Sequence, residues 1–485
     1  MSRRKELLGA LAVAAVSALV FFLSLGRKPL APWDEGIYAE VSREMLHGSW
    51  LAPMWNFRPW MEKPPLELWL TASLFQIFTV NAFWARAASA LAAVAVVAIC
   101  WLWLSRHRSR TSAWIGAAML LLTPGFVRAG RLGEMDALLS LGSVAAVYGL
   151  TLVEREKPRA GWLLFWLGTA VACMTKGPAA VTLALTLTIA LVCMESIRRV
   201  VFTRHFFVGL GVFLILVLPW HLAMYVHFGK AFVAEYLGFH TLTRATHQIE
   251  GHVSHWWYYG WVLVLMAAPW VLLYPVALAR GFRDNKLKLW AIFASVVVVF
   301  FSIVQTRLSH YVVPAYPAFS ILTADLLAAF LASRASRRKT WSLAAVALLL
   351  CIVSSKITAR ARARLHAGRE ISATTGPVPL SAFTAEMQKL PSDEPLLLNG
   401  ANEPIMPQIW LFDTGRKIVQ VSERNMALPY PSRYADPISL CEAVGERKLI
   451  MVADHEEIQS PGCSLQVVPI AHQDGWLLVM VSRRQ

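Results

Sequence analysis

Several short stretches of this 485-residue chain combine carboxylates, cations and aromatic residues at spacings that could do chemistry. WDEGIYAEVSREML places Asp34 and Glu35 ahead of a helical pattern in which Glu40, Arg43 and Glu44 can share a face. Such an acidic pair has two readings: favourable charge at a helix N-terminus, or a base that orients an acceptor and takes its proton. RPWMEKPPLELW follows, with Glu62 and Lys63 before two prolines that stiffen the backbone and fix where the pair points. Arg128, Arg131, Glu134 and Asp136 gather at the next polar break. Lys176 stands at a Gly-Pro turn, and Arg307, Ser309, His310 and Tyr311 fall in QTRLSHYVVPAYP. Each taken singly reads as a snorkelling side chain or a loop charge. Together with Arg244 they describe a surface where cations suit a phosphate and carboxylates suit sugar hydroxyls or amines.

One further loop, EYLGFHTLTRATHQIEGHVSHWWYYGW, holds His240, His247, His252 and His255. Their spacing makes the loop a candidate for a divalent metal shared with Glu62, although no recognised ligand motif is present. Trp256, Trp257, Tyr258 and Tyr259 read as an interfacial aromatic belt.

The elements that must position these groups are apolar. Of the residues 56% are hydrophobic and 16% charged, and 20 are tryptophan, which excludes an ordinary soluble protein. Apolar runs of roughly 20 residues, the length that crosses a bilayer, recur from Leu7 to about Ser355. Eleven spans are expected, near 7–26, 87–104, 112–127, 134–153, 161–175, 177–195, 206–226, 256–279, 288–304, 311–332 and 340–355. The first looks like a signal peptide, but its long core and lack of an A-x-A-like site make it an uncleaved span. The fifth and sixth form a hairpin across Lys176-Gly177-Pro178. PLELWLTASLFQIFTV is expected to lie at the interface instead of crossing, because counting it as a span would reverse the charge asymmetry of every later loop.

With the N-terminus inside, every inner segment carries at least three basic residues, among them Arg106, Arg108 and Arg110, or Arg334, Arg337, Arg338 and Lys339. That pattern accounts for the formal charge of +16 without nucleic acid. The chemistry-bearing stretches all fall on the outer side. The expected fold class is therefore an α-helical polytopic membrane protein with a small C-terminal α/β domain: 1–355 spans the membrane, with an outer loop at 27–86, and 356–485 is a soluble extracytoplasmic domain. In that domain β-like runs such as RKLIMVAD and WLLVMVSRR alternate with helical stretches. Cys441 and Cys463 lie there, where a disulfide is permitted. No P-loop, dinucleotide fingerprint or nucleophile elbow is present, and a nucleotide-sugar donor does not suit a site facing away from the cytoplasm.

Taken in order, WDEGIYAEVSREMLHGSWLAPMWNFRPWMEKPPLELW, NAFWARAASAL, RLGEMDALL, MTKGPAA, EYLGFHTLTR and QTRLSHYVVPAYP resemble the bacterial lipid A aminoarabinose transferases, a branch of the C-type glycosyltransferases related to protein O-mannosyltransferases. The resemblance spans nearly the whole membrane part. It implies the C-type glycosyltransferase fold, a bacterial inner-membrane location and a sugar donor carried on undecaprenyl phosphate. By motif, Asp34 is the first-loop carboxylate and Glu62 and Lys63 are the EKPP pair, with Lys63 at the lipid phosphate. Asp136 is the carboxylate of the second outer loop; Arg244 and Tyr311 are further donor-phosphate contacts. Asp34, Glu62 and Asp136 thus form the implied catalytic set. Arg307 and His310 depart from the family, which usually reads Lys and a small residue or Pro there.

The implied reaction is direct displacement at the anomeric carbon, with polyprenyl phosphate leaving. The sugar moved is expected to be 4-amino-4-deoxy-L-arabinose or a related one, and a lipid A-like glycolipid is the leading acceptor. A protein O-mannosyltransferase-like enzyme is the nearest alternative, and a lipid-sugar transporter or flippase is the rival of a different class. A transporter should spread polar residues through its spans, whereas here they collect at one face.

Overall fold

A run apolar on all sides, placed in lipid, must satisfy its backbone internally, and a helix does so within one segment. The computed structural model accordingly is mostly helical. It describes residues 3–332 apart from 32, 156 and 249–254, and beyond them 380–387, 389, 395–399, 412, 416, 418–421, 443–444, 448–454, 464–473 and 476–483. The expected span 340–355, His252, Cys441 and Cys463 lie outside the described residues.

The helices in chain order are α1 (Arg3–Phe22), α2 (Asp34–Glu44), α3 (Leu66–Ile77), α4 (Ala82–His107), α5 (Arg110–Leu122), α6 (Pro124–Arg131), α7 (Asp136–Glu154), α8 (Pro158–Lys176), α9 (Val181–Cys193), α10 (Glu195–Arg198), α11 (Arg204–Phe228), α12 (Lys230–Phe232), α13 (Arg244–Thr246), α14 (Tyr258–Ala267), α15 (Tyr274–Arg283), α16 (Asn285–Ile303), α17 (Ala315–Ala332) and α18 (Leu380–Met387). A π-helix, Val233–Thr243, joins α12 to α13. By contacts the chain forms two compact units: Met1–Pro29 with Met61–Ala359, and Leu30–Trp60 with Arg360–Gln485.

In the first unit α4 is central, packing on α1, α3, α5, α6, α7 and α17 around the fully buried Trp101, Trp103 and Trp290. Among the described residues, each of the ten expected spans up to residue 332 is a helix or a broken pair of helices. The α5 and α6 axes differ by 67°, and Tyr258–Ala267 and Trp270–Arg283 by 120°. The second break falls at Pro269, which offers no N–H to continue the ladder.

Residues Pro158–Cys193 are 36 consecutive helical residues. A straight helix of that length would hold its ends about 54 Å apart. Instead, Trp162 Nε1 near the start donates to the carbonyl of Val200 just past the end, at 3.1 Å, so α8 and α9 turn back on one another. The chain therefore turns back near Gly177-Pro178, as the expected hairpin requires, within one of the seven stretches that, among the described residues, are long and apolar enough to cross a membrane. At 12 residues α3 is about 18 Å long and too short to cross.

The most extensive helix contact is α7 on α8. Small residues make it possible: a Cβ at Gly149 would sit 2.4 Å from Phe165 N, and one at Gly168 would sit 2.5 Å from Ala146 N. Gly149→Leu is expected to push the pair apart and cost about 1 to 3 kcal/mol or more. Thermal unfolding in detergent checks this, and an unchanged midpoint would rule the seam out as a constraint.

The two ends of the bundle differ in chemistry. At one end Arg106 meets Glu6, and Arg108 joins Asp325 (2.5 Å) and Asp284 (2.8 Å). The basic loops after α4, α7 and α15 all belong to this end. The opposite end holds the residues of the candidate site.

In the second unit Glu35 Oε2 accepts from Ala31 N at 2.5 Å, and Arg43 pairs with Glu40 at 2.6 Å. Strands β1 (Met54–Trp55) and β2 (Arg58–Pro59) form a hairpin turning through Asn56 and Phe57, both at positive φ. Glu44 accepts from Phe57 N at 3.0 Å. The remaining strands, β3 (Leu396–Asn399), β4 (Ile418–Val421), β5 (Leu449–Asp454), β6 (Leu465–Gln473) and β7 (Trp476–Arg483), pair in the order β4-β3-β5-β7-β6. The β4-β3-β5 pairs are parallel and β5-β7-β6 antiparallel. Leu397, Val444, Leu449, Met451, Val479 and Val481 form its core.

Candidate active site

Asp136 opens α7 and Lys176 closes α8, and because the two helices are antiparallel their ends coincide. Lys176 Nζ lies 2.7 Å from Asp136 Oδ1, with side-chain exposures of 12% and 2%. The same ammonium stands 5.5 Å from the centre of the Tyr311 ring, within cation–π reach. Two residues before Asp136, Glu134 pairs with Arg128 of α6 at 3.1 Å. His310 completes the group: its ligand-capable nitrogen and oxygens of Glu134 and Asp136 lie within 4.8 Å of one another.

The EKPP segment precedes α3. Glu62 is buried, and its Oε2 lies 3.7 Å from Nδ1 of the equally buried His240. Lys63 beside it is half-buried. His240 rides on the π-helix, in which Tyr236, His240 and the following Arg244 recur every fourth residue. Tyr236 seats the near end of that helix: its hydroxyl would lie 2.1 Å from a Cβ at Gly177, which only glycine at φ +34° avoids. Burial, with a smaller contribution from Cys173, pushes the Tyr236 hydroxyl above its ordinary range, so it stays a neutral donor.

Arg244 at the far end is pinned to the loop that carries Tyr311. Thr306 N donates to the Arg244 carbonyl at 3.1 Å and Gln305 N to Ala245 at 3.1 Å, while Thr306 Oγ1 donates to the His247 carbonyl at 2.8 Å. Tyr259 of α14 holds the same loop by donating its hydroxyl to Leu308 O at 3.1 Å. Arg307 turns back to the Ser302 carbonyl at 2.9 Å.

Within the first unit the contacts form two groups, Asp136, Lys176, His310 and Tyr311 in one and Glu62 with His240 in the other, and Arg244 is fixed through its backbone. Asp34 opens α2 in the second unit.

The histidine loop does not converge on a metal among its described residues. His247 Nδ1 meets Thr246 Oγ1 at 2.8 Å and His255 stacks on Trp257, leaving only His240 beside Glu62. In the Glu134, Asp136 and His310 group each carboxylate already faces a cation, Arg128 or Lys176, with which a divalent ion would compete.

An apolar cavity of about 470 Å³ adjoins the Lys176 turn, lined by Pro178, Val181, His221, Tyr225, Phe232 and Tyr236 among others. Sequence reasoning missed the π-helix, whose lining role shows only once Tyr236 meets Gly177. It also missed Glu67 of α3, 1% exposed, whose Oε1 lies 3.0 Å from Ser89 Oγ. Burial pushes this carboxyl up to about 8, against the Ser89 hydrogen bond and with the Asp136 charge adding to the rise. The signal available was a carboxylate inside an apolar run, PLELWL.

Residues 62–222 match the family described as dolichyl-phosphate-mannose-protein mannosyltransferase. The chain is 28% identical over 320 residues to an undecaprenyl phosphate-alpha-4-amino-4-deoxy-L-arabinose arabinosyl transferase of Aeromonas salmonicida, covering 63% of this chain and 57% of that protein. The Pseudomonas savastanoi protein of that name is 30% identical over 66% of this chain and 61% of its own length. The chain therefore spans less than two thirds of these relatives in sequence. In structure it is similar to ArnT from Cupriavidus metallidurans bound to undecaprenyl phosphate, with a TM-score of 0.74 and 20% identity over 98% of this chain and 99% of that one. An oligosaccharyltransferase of Archaeoglobus fulgidus is more distant, with a TM-score of 0.57 at 12% identity over 92% and 69%. The chain has the C-type glycosyltransferase fold and is a multi-span membrane protein.

Proposed function

We propose that this chain, which shares the fold of the aminoarabinose transferases and resembles them through its membrane part, moves a sugar from undecaprenyl phosphate to a lipid A-like glycolipid. The site faces away from the cytoplasm in this reading, because the basic loops lie at the opposite end of the bundle. The observation that carries the proposal is the pinning of Arg244 to the Thr306–Tyr311 loop beside the Asp136–Lys176 pair.

Lys63, Arg244 and the Tyr311 hydroxyl hold the donor phosphate, and the first isoprene units run into the adjoining apolar cavity. The donor is a phosphodiester with one negative charge. As the bond from the anomeric carbon to the phosphate oxygen breaks, the leaving polyprenyl phosphate gains a second. Cations fixed in advance stabilise that charge more than the ground state. The acceptor oxygen forms the new bond to the anomeric carbon. If it is a hydroxyl it also loses a proton, which the motif resemblance alone assigns to Asp34; a phosphate acceptor is already anionic and needs no base. Asp136 pairs with Lys176, and Glu62 with His240 lines the sugar side.

Mass spectrometry of envelope glycolipids from cells with and without the protein tests the proposal. Lipid A is expected to carry an added aminopentose only when the protein is present. Unmodified lipid A together with glycosylated protein would instead point to the mannosyltransferase-like alternative.

A further inference from the structure

Glu67, Ser89 and the Glu134 carbonyl form a buried chain that the transfer steps above do not use. Ser89 Oγ lies 2.6 Å from the Glu134 carbonyl oxygen and 3.0 Å from Glu67 Oε1, and both side chains are at most 1% exposed. A serine hydroxyl has one proton, and a carbonyl oxygen only accepts. Ser89 Oγ is placed to donate to either acceptor; with its proton in the shorter contact, the contact to Glu67 is made by a proton on the carboxyl. An ionised Glu67 would meet the Asp136 charge where water does not reach, which only a Ser89 proton withdrawn from the Glu134 carbonyl would offset.

We propose that Glu67 is a neutral positioning acid for the transfer site: its O–H donates to Ser89 Oγ, whose O–H donates to the Glu134 carbonyl, fixing the turn that presents Glu134 and Asp136. The chain ties α3, immediately after the EKPP pair, through α4 to that turn. Glu134 engages Arg128 and Asp136 engages Lys176, so a shift of the turn reaches both ion pairs. The other charged groups on the surrounding elements are Arg86 of α4, which donates to the carbonyls of Leu25, Lys28 and Pro29, and His310 beside Asp136.

The proton has a thermodynamic consequence. The folded carboxyl keeps it to about pH 8, whereas the ordinary value is 4.5, so the folded state binds more protons between these values. Stability contributed by this group is full below 4.5 and is lost as pH rises through about 8. Deprotonation also breaks the chain, which gives activity an alkaline limb.

The activity arm of the test rests on the transfer reading; an infrared arm does not. Glu67→Gln, whose amide N–H can donate in place of the carboxyl O–H, is expected to keep turnover within about twofold at neutral pH and to lose the alkaline limb. Glu67→Ala is expected to lower kcat about tenfold or more, with donor KM changed less than about twofold. Infrared titration of the purified protein from about pH 6 to about pH 10 should show a neutral carboxylic acid carbonyl that disappears in wild type and is missing in Glu67→Gln. Lack of that band in wild type at neutral pH, or an alkaline limb unchanged in Glu67→Gln, would overturn the proposal. A wild-type protein with the band but no sugar transfer would count against the transfer reading alone.

Discussion

Lys63→Ala is expected to lower kcat/KM for the polyprenyl-phosphate sugar donor about 100- to 1,000-fold, the usual loss when one preplaced charge donor is removed from a developing anion. Lys63 follows the buried Glu62 directly, and Pro64 and Pro65 stiffen the backbone after it. The stiffened backbone limits where its ammonium can stand, as the proposed donor site requires. Charge grows on the phosphate only as the glycosidic bond breaks, so kcat should fall more than KM rises. Lys63→Arg keeps the charge and should recover part of the loss. Single-turnover kinetics with labelled donor separate binding from chemistry, and turnover within a few-fold of wild type would remove Lys63 from the donor site.

The second large effect is on stability. Lys176→Met leaves the Asp136 carboxylate, 2% exposed, without the ammonium that now lies 2.7 Å away. Removing one partner of a buried pair typically costs about 3 to 5 kcal/mol, because the remaining charge is stranded. The Lys176→Met/Asp136→Asn double variant removes both charges and should regain most of that loss. Thermal unfolding of the two proteins in the same detergent decides it; equal midpoints would mean that Asp136 does not depend on Lys176.

Much of the fold was legible because lipid leaves so few choices. Apolar runs of the right length and the basic loops between them place each described span, and the turn at Gly177-Pro178 marks the α8–α9 hairpin that Trp162 and Val200 close. The histidine loop was read less well: four histidines in one loop suggested a shared ligand set, but a side chain four residues along a π-helix faces a different neighbour from one in a free loop. His240 reaches Glu62, while His255 lies on Trp257.

What stayed hidden depends on partners far apart in the chain. Nothing local to Asp136 announces Lys176, 40 residues on; the pair exists because glycines let α7 and α8 pack backbone to backbone and so bring their ends level. Glu67 looked like an interfacial residue, since a carboxylate within an apolar helix is indistinguishable by pattern from one facing water. Only its burial against Ser89 separates the two. Leu30–Trp60 grouping with Arg360–Gln485 is likewise a long-range result, with no marker in the first loop itself.

The most direct test is a reconstituted reaction: purified protein in liposomes with undecaprenyl-phosphate-linked aminoarabinose, with and without lipid A. The account predicts one undecaprenyl phosphate released for each sugar gained by lipid A, and no release when lipid A is left out. Sugar-carrier movement across the bilayer without release, or release that is indifferent to lipid A, would contradict it.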